Sequence, residues 1–145
     1  MAHITEINND IFDEINKIKN QNYLLVHCMN KSLSTSKGIV VEINKRYNIK
    51  EKIKNKYSKN EIEIGSCLIT DNVCNLITKN RVYDKPTYDD LIKSLIKLYE
   101  YCIINNINTL IMPKIGCGLD RLNWIKVKKI LFDIFKKFNI IVCYL

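Results

Sequence analysis

The sequence predicts an α/β domain with three layers, in which helices cover both faces of a mixed sheet. Short apolar runs of strand length alternate with segments whose apolar residues recur at helical spacing, a pattern typical of α/β domains. Two of the apolar runs are separated only by Asp71-Asn72, which predicts a hairpin and therefore one antiparallel strand. The length of 145 residues and the 47% hydrophobic content suit one folded domain over residues 1–145.

The predicted strands are apolar runs that end at turn-forming or polar residues. They are His3–Ile7, Tyr23–Cys28, Glu63–Thr70, Val73–Thr78, Thr109–Met112 and Ile140–Leu145.

The predicted helices show apolar residues three or four positions apart. They are Ile11–Ile18, Ile39–Tyr47, Ile49–Tyr57, Thr87–Cys102 and Asn123–Phe138. Thr87 and Asn123 are suitable N-cap residues. In the last helix the expected core stripe is Ile125, Ile130, Ile134 and Phe138.

The chain carries a net charge of +8, which favours anionic partners such as nucleotides. A dedicated nucleic-acid-binding domain is disfavoured, because no aromatic platform or recognisable binding motif is present. No apolar run approaches the roughly 20 residues that cross a membrane. The first residues also lack a basic region followed by an apolar stretch, so we expect no secretory signal and a cytosolic or nuclear compartment.

The six cysteines form no Cys-x-x-Cys pair, and His3 and His27 lie far apart in the sequence. We therefore expect no metal site, no cofactor and reduced cysteines in the core. Cys117 lies between two glycines, but a nucleophilic role would need a neighbouring base that the sequence does not supply.

The run Pro113–Trp124, Pro-Lys-Ile-Gly-Cys-Gly-Leu-Asp-Arg-Leu-Asn-Trp, joins a predicted strand to a predicted helix. Gly116 and Gly118 permit a tight turn and a close approach to a ligand. Unpaired N–H groups before a helix bind anions, typically phosphate. The alternative is an ordinary strand-to-helix connection.

Lys79 follows the predicted strand Leu-Ile-Thr, at the carboxyl end where α/β sheets bind ligands. Partial burial and the nearby cations Arg81 and Lys85 would favour a neutral amine that can attack an electrophilic sugar carbon. Asp120 could act as a base or stabilise positive charge. The alternatives are an exposed surface lysine and a carboxylate that caps a helix or pairs with Arg121.

Together, Leu-Ile-Thr-Lys ending at Lys79 and Ile-Gly-Cys-Gly-Leu-Asp-Arg-Leu at 115–122 resemble the macrodomain family, and within it the terminal ADP-ribose glycohydrolase branch. Asn9-Asp10-Ile11-Phe12 and Val26-His27-Cys28 match more loosely, so the resemblance spans nearly the whole chain. It implies a three-layer α/β/α macrodomain with a mixed central sheet.

The resemblance also implies a site and a reaction. Lys79 would attack the anomeric carbon of the distal ribose of ADP-ribose and displace a modified glutamate or aspartate, assisted by Asp120. The same site would cleave O-acetyl-ADP-ribose. The residues expected to bind ADP-ribose are Asp10 and Ile11 at adenine, Asn30, Ser36 and Gly38 at the distal ribose, and Ile115, Gly116, Cys117, Gly118 and Leu119 at the phosphates.

Other functions within the same family stay open at this point. The chain could be a reader that only binds ADP-ribose, or a phosphatase acting on phosphorylated ADP-ribose. The partner would be ADP-ribose or an ADP-ribosylated protein, with ADP-ribosylated nucleic acid also open, and we expect a monomer. Asn9 stands where the family usually has glycine, and Gly38 is the one glycine in a ribose loop that often has two.

Overall fold

The computed structural model describes residues 2–145, which form six strands and five helices. The strands are β1 His3–Asn8, β2 Tyr23–Asn30, β3 Cys67–Thr70, β4 Val73–Lys79, β5 Thr109–Met112 and β6 Asn139–Tyr144. The helices are α1 Ile11–Ile18, α2 Val40–Tyr47, α3 Ile49–Lys56, α4 Tyr88–Ile104 and α5 Trp124–Ile134.

All six strands belong to one sheet, in the order β1-β6-β5-β2-β4-β3. Every neighbouring pair is parallel except β3 and β4, which form the antiparallel hairpin around Asp71-Asn72. The predicted mixed α/β sheet is therefore confirmed. Because five strands point the same way, their carboxyl ends meet at one edge, and the loops that follow them share that edge.

Two apolar cores cover the two faces of the sheet. One core contains inward residues of α4 and α5, including Leu95 and Leu131, and the other contains inward residues of α1, α2 and α3, including Ile15, Ile43 and Ile53. This arrangement confirms the three-layer prediction. Strands between two helical layers read as continuous apolar runs, which explains the composition of β2 and β5.

The starts of the two longest helices are where the sequence places them. The Thr87 hydroxyl accepts a hydrogen bond from the Asp90 amide at 3.1 Å, and the side-chain Oδ1 of Asn123 accepts one from the Lys126 amide at 3.2 Å. Each cap satisfies an amide that the helix itself cannot pair. The cap at Asn123 also fixes where the glycine loop ends.

Two predicted boundaries are wrong. Strand β3 begins at Cys67 and not at Glu63, because Gly65 has φ +90° and interrupts the extended backbone. Helix α5 ends at Ile134 and not at Phe138, because Phe135 leaves the helical conformation with φ −96° and ψ 57° and the chain then turns through Lys137 at φ +69°.

The predicted core stripe of α5 is also partly wrong. Ile125 is 78% exposed, whereas Val127 and Leu131 are fully buried. Successive helical residues are about 100° apart, so Ile125 points away from the face that Val127 and Leu131 share. Phe138 does reach the core, but from the turn beyond the helix, where its ring packs 5.2 Å from that of Phe135.

Within residues 2–145, no helix combines the length and apolar character that a membrane crossing needs. The same residues contain no cluster of three or more histidine, cysteine, aspartate or glutamate side chains able to hold a metal ion.

Candidate active site

An irregularity in the pairing of β2 with β4 determines where the Lys79 side chain lies. Along β2 and β4, Met29 pairs with Ile77, but the next pair is Asn30 with Lys79, so Thr78 is an extra residue. Such a bulge re-aims the side chains that follow it. As a result Lys79, and not Thr78, lies opposite Asn30 at the carboxyl end of the sheet.

Lys79 and Asp120 form an ion pair there. The Lys79 Nζ donates to Asp120 Oδ1 and, at 2.9 Å, to the backbone oxygen of Val82. The two side chains are 10% and 15% exposed. Lys79 is thus not an exposed surface lysine, and Asp120 pairs with Lys79 rather than with Arg121.

The sequence analysis expects cations beside Lys79, and for Arg81 this expectation is wrong. The partners of Nζ are a carboxylate and a carbonyl, both of which suit an ammonium group. The guanidinium of Arg81 points elsewhere and donates to the Tyr83 hydroxyl at 2.7 Å. Nζ therefore faces two hydrogen-bond acceptors, and Asp120 is the adjacent carboxylate.

The ion pair lies in a cavity of about 660 Å³. The wall contains eight of the site residues that were predicted from the sequence: Asn30, Gly38, Lys79, Ile115, Gly116, Gly118, Leu119 and Asp120. A cavity of this size is in the range of small-molecule sites. The residues come from the ends of β2, β4 and β5, so the sheet edge brings them together.

The glycine loop offers backbone donors to this cavity. Gly116 has φ +72°, and a Cβ atom there would lie 2.8 Å from Leu122 Cδ1, so this position strongly favours glycine. Within residues 2–145, the amides of Gly116, Gly118 and Leu119 donate no hydrogen bond. Unpaired amides in a turn of this kind form an anion site.

The start of α2 supplies a second row of donors on the other wall. The amides of Gly38, Ile39 and Val40 also lack partners among the described residues, and no side chain caps this helix. A Cβ atom on Gly38 would lie 3.5 Å from Leu119 Cδ1, so the two loops approach each other. An anion between them would meet amides from both sides and the positive end of the helix dipole.

A second cavity of about 570 Å³ adjoins the first. The two share Ile39, Pro113, Lys114 and Gly118. Three further residues that were predicted to bind ADP-ribose, Asp10, Ile11 and Cys117, line the second cavity.

Asp10 combines two roles in this second cavity. One carboxylate oxygen, Oδ1, accepts from the Phe12 amide at 2.8 Å and caps α1. Within residues 2–145 the other oxygen makes no hydrogen bond, so it can accept one from a ligand.

Comparison with known proteins identifies the fold. The macrodomain of Mycobacterium tuberculosis DarG superposes with a TM-score of 0.84 and 20% identity, covering 100% of this chain and 99% of that one. Thermosipho africanus DarTG, solved in complex with ADP-ribose, superposes with a TM-score of 0.78 and 17% identity, covering 97% of this chain and 41% of that one.

Sequence similarity agrees with this result. The chain is 37% identical to the ADP-ribose glycohydrolase OARD1 of Bos taurus over 119 residues, which make up 80% of this chain and 76% of that protein. The chain belongs to the macrodomain family. No protein-family model matches it.

One residue that was predicted to bind ADP-ribose, Ser36, lies outside both cavities of this macrodomain. Ser36 is exposed, and its hydroxyl shares a 2.9 Å hydrogen bond with that of Ser34, which does line the first cavity. The Asn30 side chain anchors this loop, because its Oδ1 accepts from the Ser34 amide at 3.2 Å. A role for Ser36 at the ribose stays a prediction.

The thiols at the site are poor nucleophiles. Burial raises the pKa of Cys117 to about 11, and its Sγ donates to the Ile115 carbonyl at 3.2 Å. Burial, followed by the nearby Asp120 carboxylate, raises the pKa of Cys28 to about 12. Because the thiolate is the reactive form, both groups are inert at neutral pH.

Sequence reasoning missed two contributors to the site. Lys114 lines both cavities and lies with Nζ 4.4 Å from the ring centre of Tyr144. Its position just after β5 is a signal that could have nominated it. The Val82 carbonyl that holds Lys79 is a backbone group, and no residue pattern marks it.

Proposed function

We propose that this macrodomain is a hydrolase that removes ADP-ribose from glutamate and aspartate side chains. The observation that carries the proposal is the Lys79–Asp120 ion pair in the wall of a cavity lined with unpaired amides. A module that only bound ADP-ribose would have no chemical need for a lysine against a carboxylate there. The similarity to a protein named ADP-ribose glycohydrolase supports the same assignment.

ADP-ribose would occupy both cavities. Its adenine would enter the second cavity, with the amino group donating to Asp10 and Ile11 alongside. Its diphosphate would lie between the glycine-loop amides and the start of α2, where backbone donors and Lys114 offset its charge. Its distal ribose would then reach the first cavity beside Lys79.

The first chemical step transfers the sugar to Lys79. The ammonium gives a proton to Asp120, and the nitrogen lone pair forms a bond to the anomeric carbon. The bond from that carbon to the ester oxygen breaks, and its electron pair leaves with the glutamate or aspartate carboxylate. The products of this step are the free side chain and a lysine–ribose adduct.

The second step uses water. Water adds to the anomeric carbon, the carbon–nitrogen bond breaks, and Lys79 and free ADP-ribose are regenerated. Asp120 first releases to solvent the proton that it took from Lys79, and it then accepts a proton from water and returns it to the departing nitrogen, so it acts in both steps. We propose that the same site also deacetylates O-acetyl-ADP-ribose.

The test is release of ADP-ribose from a protein modified on glutamate. Lys79→Ala is expected to lower turnover by roughly 10²-fold or more with nearly unchanged affinity for ADP-ribose, because the lost interaction acts in the transition state. Lys79→Arg is expected to fail as well, since arginine stays protonated. Lys129→Ala is the matched control, because Lys129 is an exposed lysine in a surface ion pair.

Two further results separate this mechanism from its rivals. Borohydride reduces the ring-opened Schiff-base form of the lysine–sugar adduct, so treatment during turnover is expected to leave the mass of ADP-ribose on the tryptic peptide that contains Lys79. Full activity in Lys79→Ala would overturn the covalent mechanism. Tight ADP-ribose binding without any release by the wild-type chain would make the domain a reader instead.

A further inference from the structure

The turn after β4 is closed by two hydrogen bonds between Arg81 and Asp84. The Asp84 amide donates to the Arg81 carbonyl at 3.0 Å, and the Asp84 Oδ2 accepts from the Arg81 amide at 3.0 Å. Two hydrogen bonds therefore connect the first and last residues of a four-residue turn. The second of these bonds depends on the Asp84 side chain.

The tip of this turn presents the Val82 carbonyl to Lys79. Its oxygen accepts from Nζ at 2.9 Å, and Nζ has Asp120 as its other partner. Both ends of the segment are fixed, by Lys79 at the end of β4 and by the buried Pro86 before α4. Between those anchors, Asp84 is the side chain that holds the turn closed.

The position of the Val82 oxygen matters because a carbonyl can only accept. Once Lys79 has given a proton to Asp120, the neutral amine keeps one N–H facing Val82. Its lone pair must then point toward Asp120 or into the cavity, and away from the loop. Orientation of this kind is what separates a productive arrangement of reacting atoms from a merely close one.

We propose that Asp84 is a positioning residue for Lys79, acting through the turn that presents the Val82 carbonyl. This inference rests on the proposed hydrolase function. It assigns Asp84, which lines the first cavity, a structural hydrogen bond rather than contact with the substrate.

Three variants separate the geometry of the carboxylate from its charge. Asp84→Ala removes both. Asp84→Asn keeps an oxygen for the Arg81 amide and removes the charge. Asp84→Glu keeps the charge but carries the carboxylate one methylene further, away from the short hydrogen bond.

The expected outcome in the hydrolysis assay is a kcat defect without a binding defect. Asp84→Ala and Asp84→Glu should each lower kcat by roughly 10-fold, with the Kd for ADP-ribose within twofold of wild type. Asp84→Asn should restore kcat to within about threefold, because the turn closes again. A defect in Asp84→Asn as large as in Asp84→Ala would overturn the proposal, since charge or substrate contact would then decide.

A second readout does not depend on hydrolysis. Acetylation of Lys79 by a succinimidyl ester, measured by mass spectrometry against the exposed Lys129, should accelerate several-fold in Asp84→Ala and stay at the wild-type rate in Asp84→Asn. Equal labelling of Lys79 in wild type and Asp84→Ala would overturn the positioning role even if hydrolysis is confirmed. A labelling change without any hydrolase activity would instead refute the proposed function alone.

Discussion

Strand β4 contributes to two polar clusters, and the clusters differ in charge. The site pair is Lys79 and Asp120, at the carboxyl end of the strands. The interior cluster is His27, Asn75 and Thr70, deeper in the sheet and almost completely buried. His27 Nε2 and Asn75 Oδ1 are 2.5 Å apart, and Asn75 Nδ2 donates to Thr70 Oγ1 at 3.0 Å.

Burial explains why the interior cluster is neutral. Loss of solvent lowers the pKa of His27 to about 4, so the imidazole is uncharged at neutral pH. Neutral groups can be buried if they are hydrogen-bonded, whereas a buried ion pair loses solvation that its attraction does not fully replace. The charged pair lies where the cavity is open to water. Strand β4 therefore carries a fully buried neutral side chain at Asn75 and a charged one at Lys79, at the cavity.

The largest expected effect is the loss of turnover when the Lys79–Asp120 pair is changed. Asp120→Asn keeps an oxygen for Lys79 but cannot accept its proton, so turnover should fall by roughly 10²-fold or more. The free energy of unfolding should fall by no more than about 1–2 kcal/mol, less than the roughly 3–5 kcal/mol for a fully enclosed pair, because Lys79 still reaches the cavity. Steady-state kinetics and urea unfolding measure the two quantities. A large loss of stability would show that the pair is structural.

The interior cluster should respond in the opposite way. Asn75→Ala removes the partner of His27 Nε2, Thr70 and the Leu68 carbonyl. Leaving buried polar groups unpaired should cost on the order of 2–3 kcal/mol of unfolding free energy. Urea unfolding tests this, and Asn16→Ala on the exposed face of α1 is the control. A lower kcat in the remaining folded protein would show that the interior cluster also affects turnover, which contradicts this prediction.

The smallest effect is the pH dependence of His27. Its folded-state pKa of about 4 lies below the ordinary value of 6.5, so the unfolded chain binds the proton more readily between these limits. The stability is fully present above pH 6.5 and is lost as pH falls toward 4, by about 2 kcal/mol between pH 7 and pH 5. His27→Gln should show a flatter decline in urea unfolding over this range. An identical slope would remove His27 as the cause.

Much of this molecule follows from its residue pattern. Strand β5 and the capped start of α5 flank the glycine loop, and local rules for strands, caps and glycine predict all three. Lys79 and Asp120 are 41 residues apart, and their pairing was predicted from the family resemblance. Both lie at the carboxyl edge of a parallel sheet, which is why the fold brings them together.

Other features depend on geometry that the residue pattern does not carry. The bulge at Thr78 is a matter of pairing between two strands, and Val82 acts through a backbone oxygen that every residue has. The exposure of Ile125 depends on how α5 is rotated against α4 and the sheet. Ser36 and Ser34 are two residues apart in one loop, and only the folded backbone decides which one faces the cavity.

The position of the last residues gives this domain a directional property. Tyr144 and Leu145 line the second cavity, whereas β1 begins at the opposite edge of the sheet, where His3 pairs with Asn139. Any polypeptide joined to Leu145 would emerge beside the second cavity and would be placed to cover its opening. A fluorophore or surface linker attached at the exposed His3 would instead leave both cavities facing away from the support.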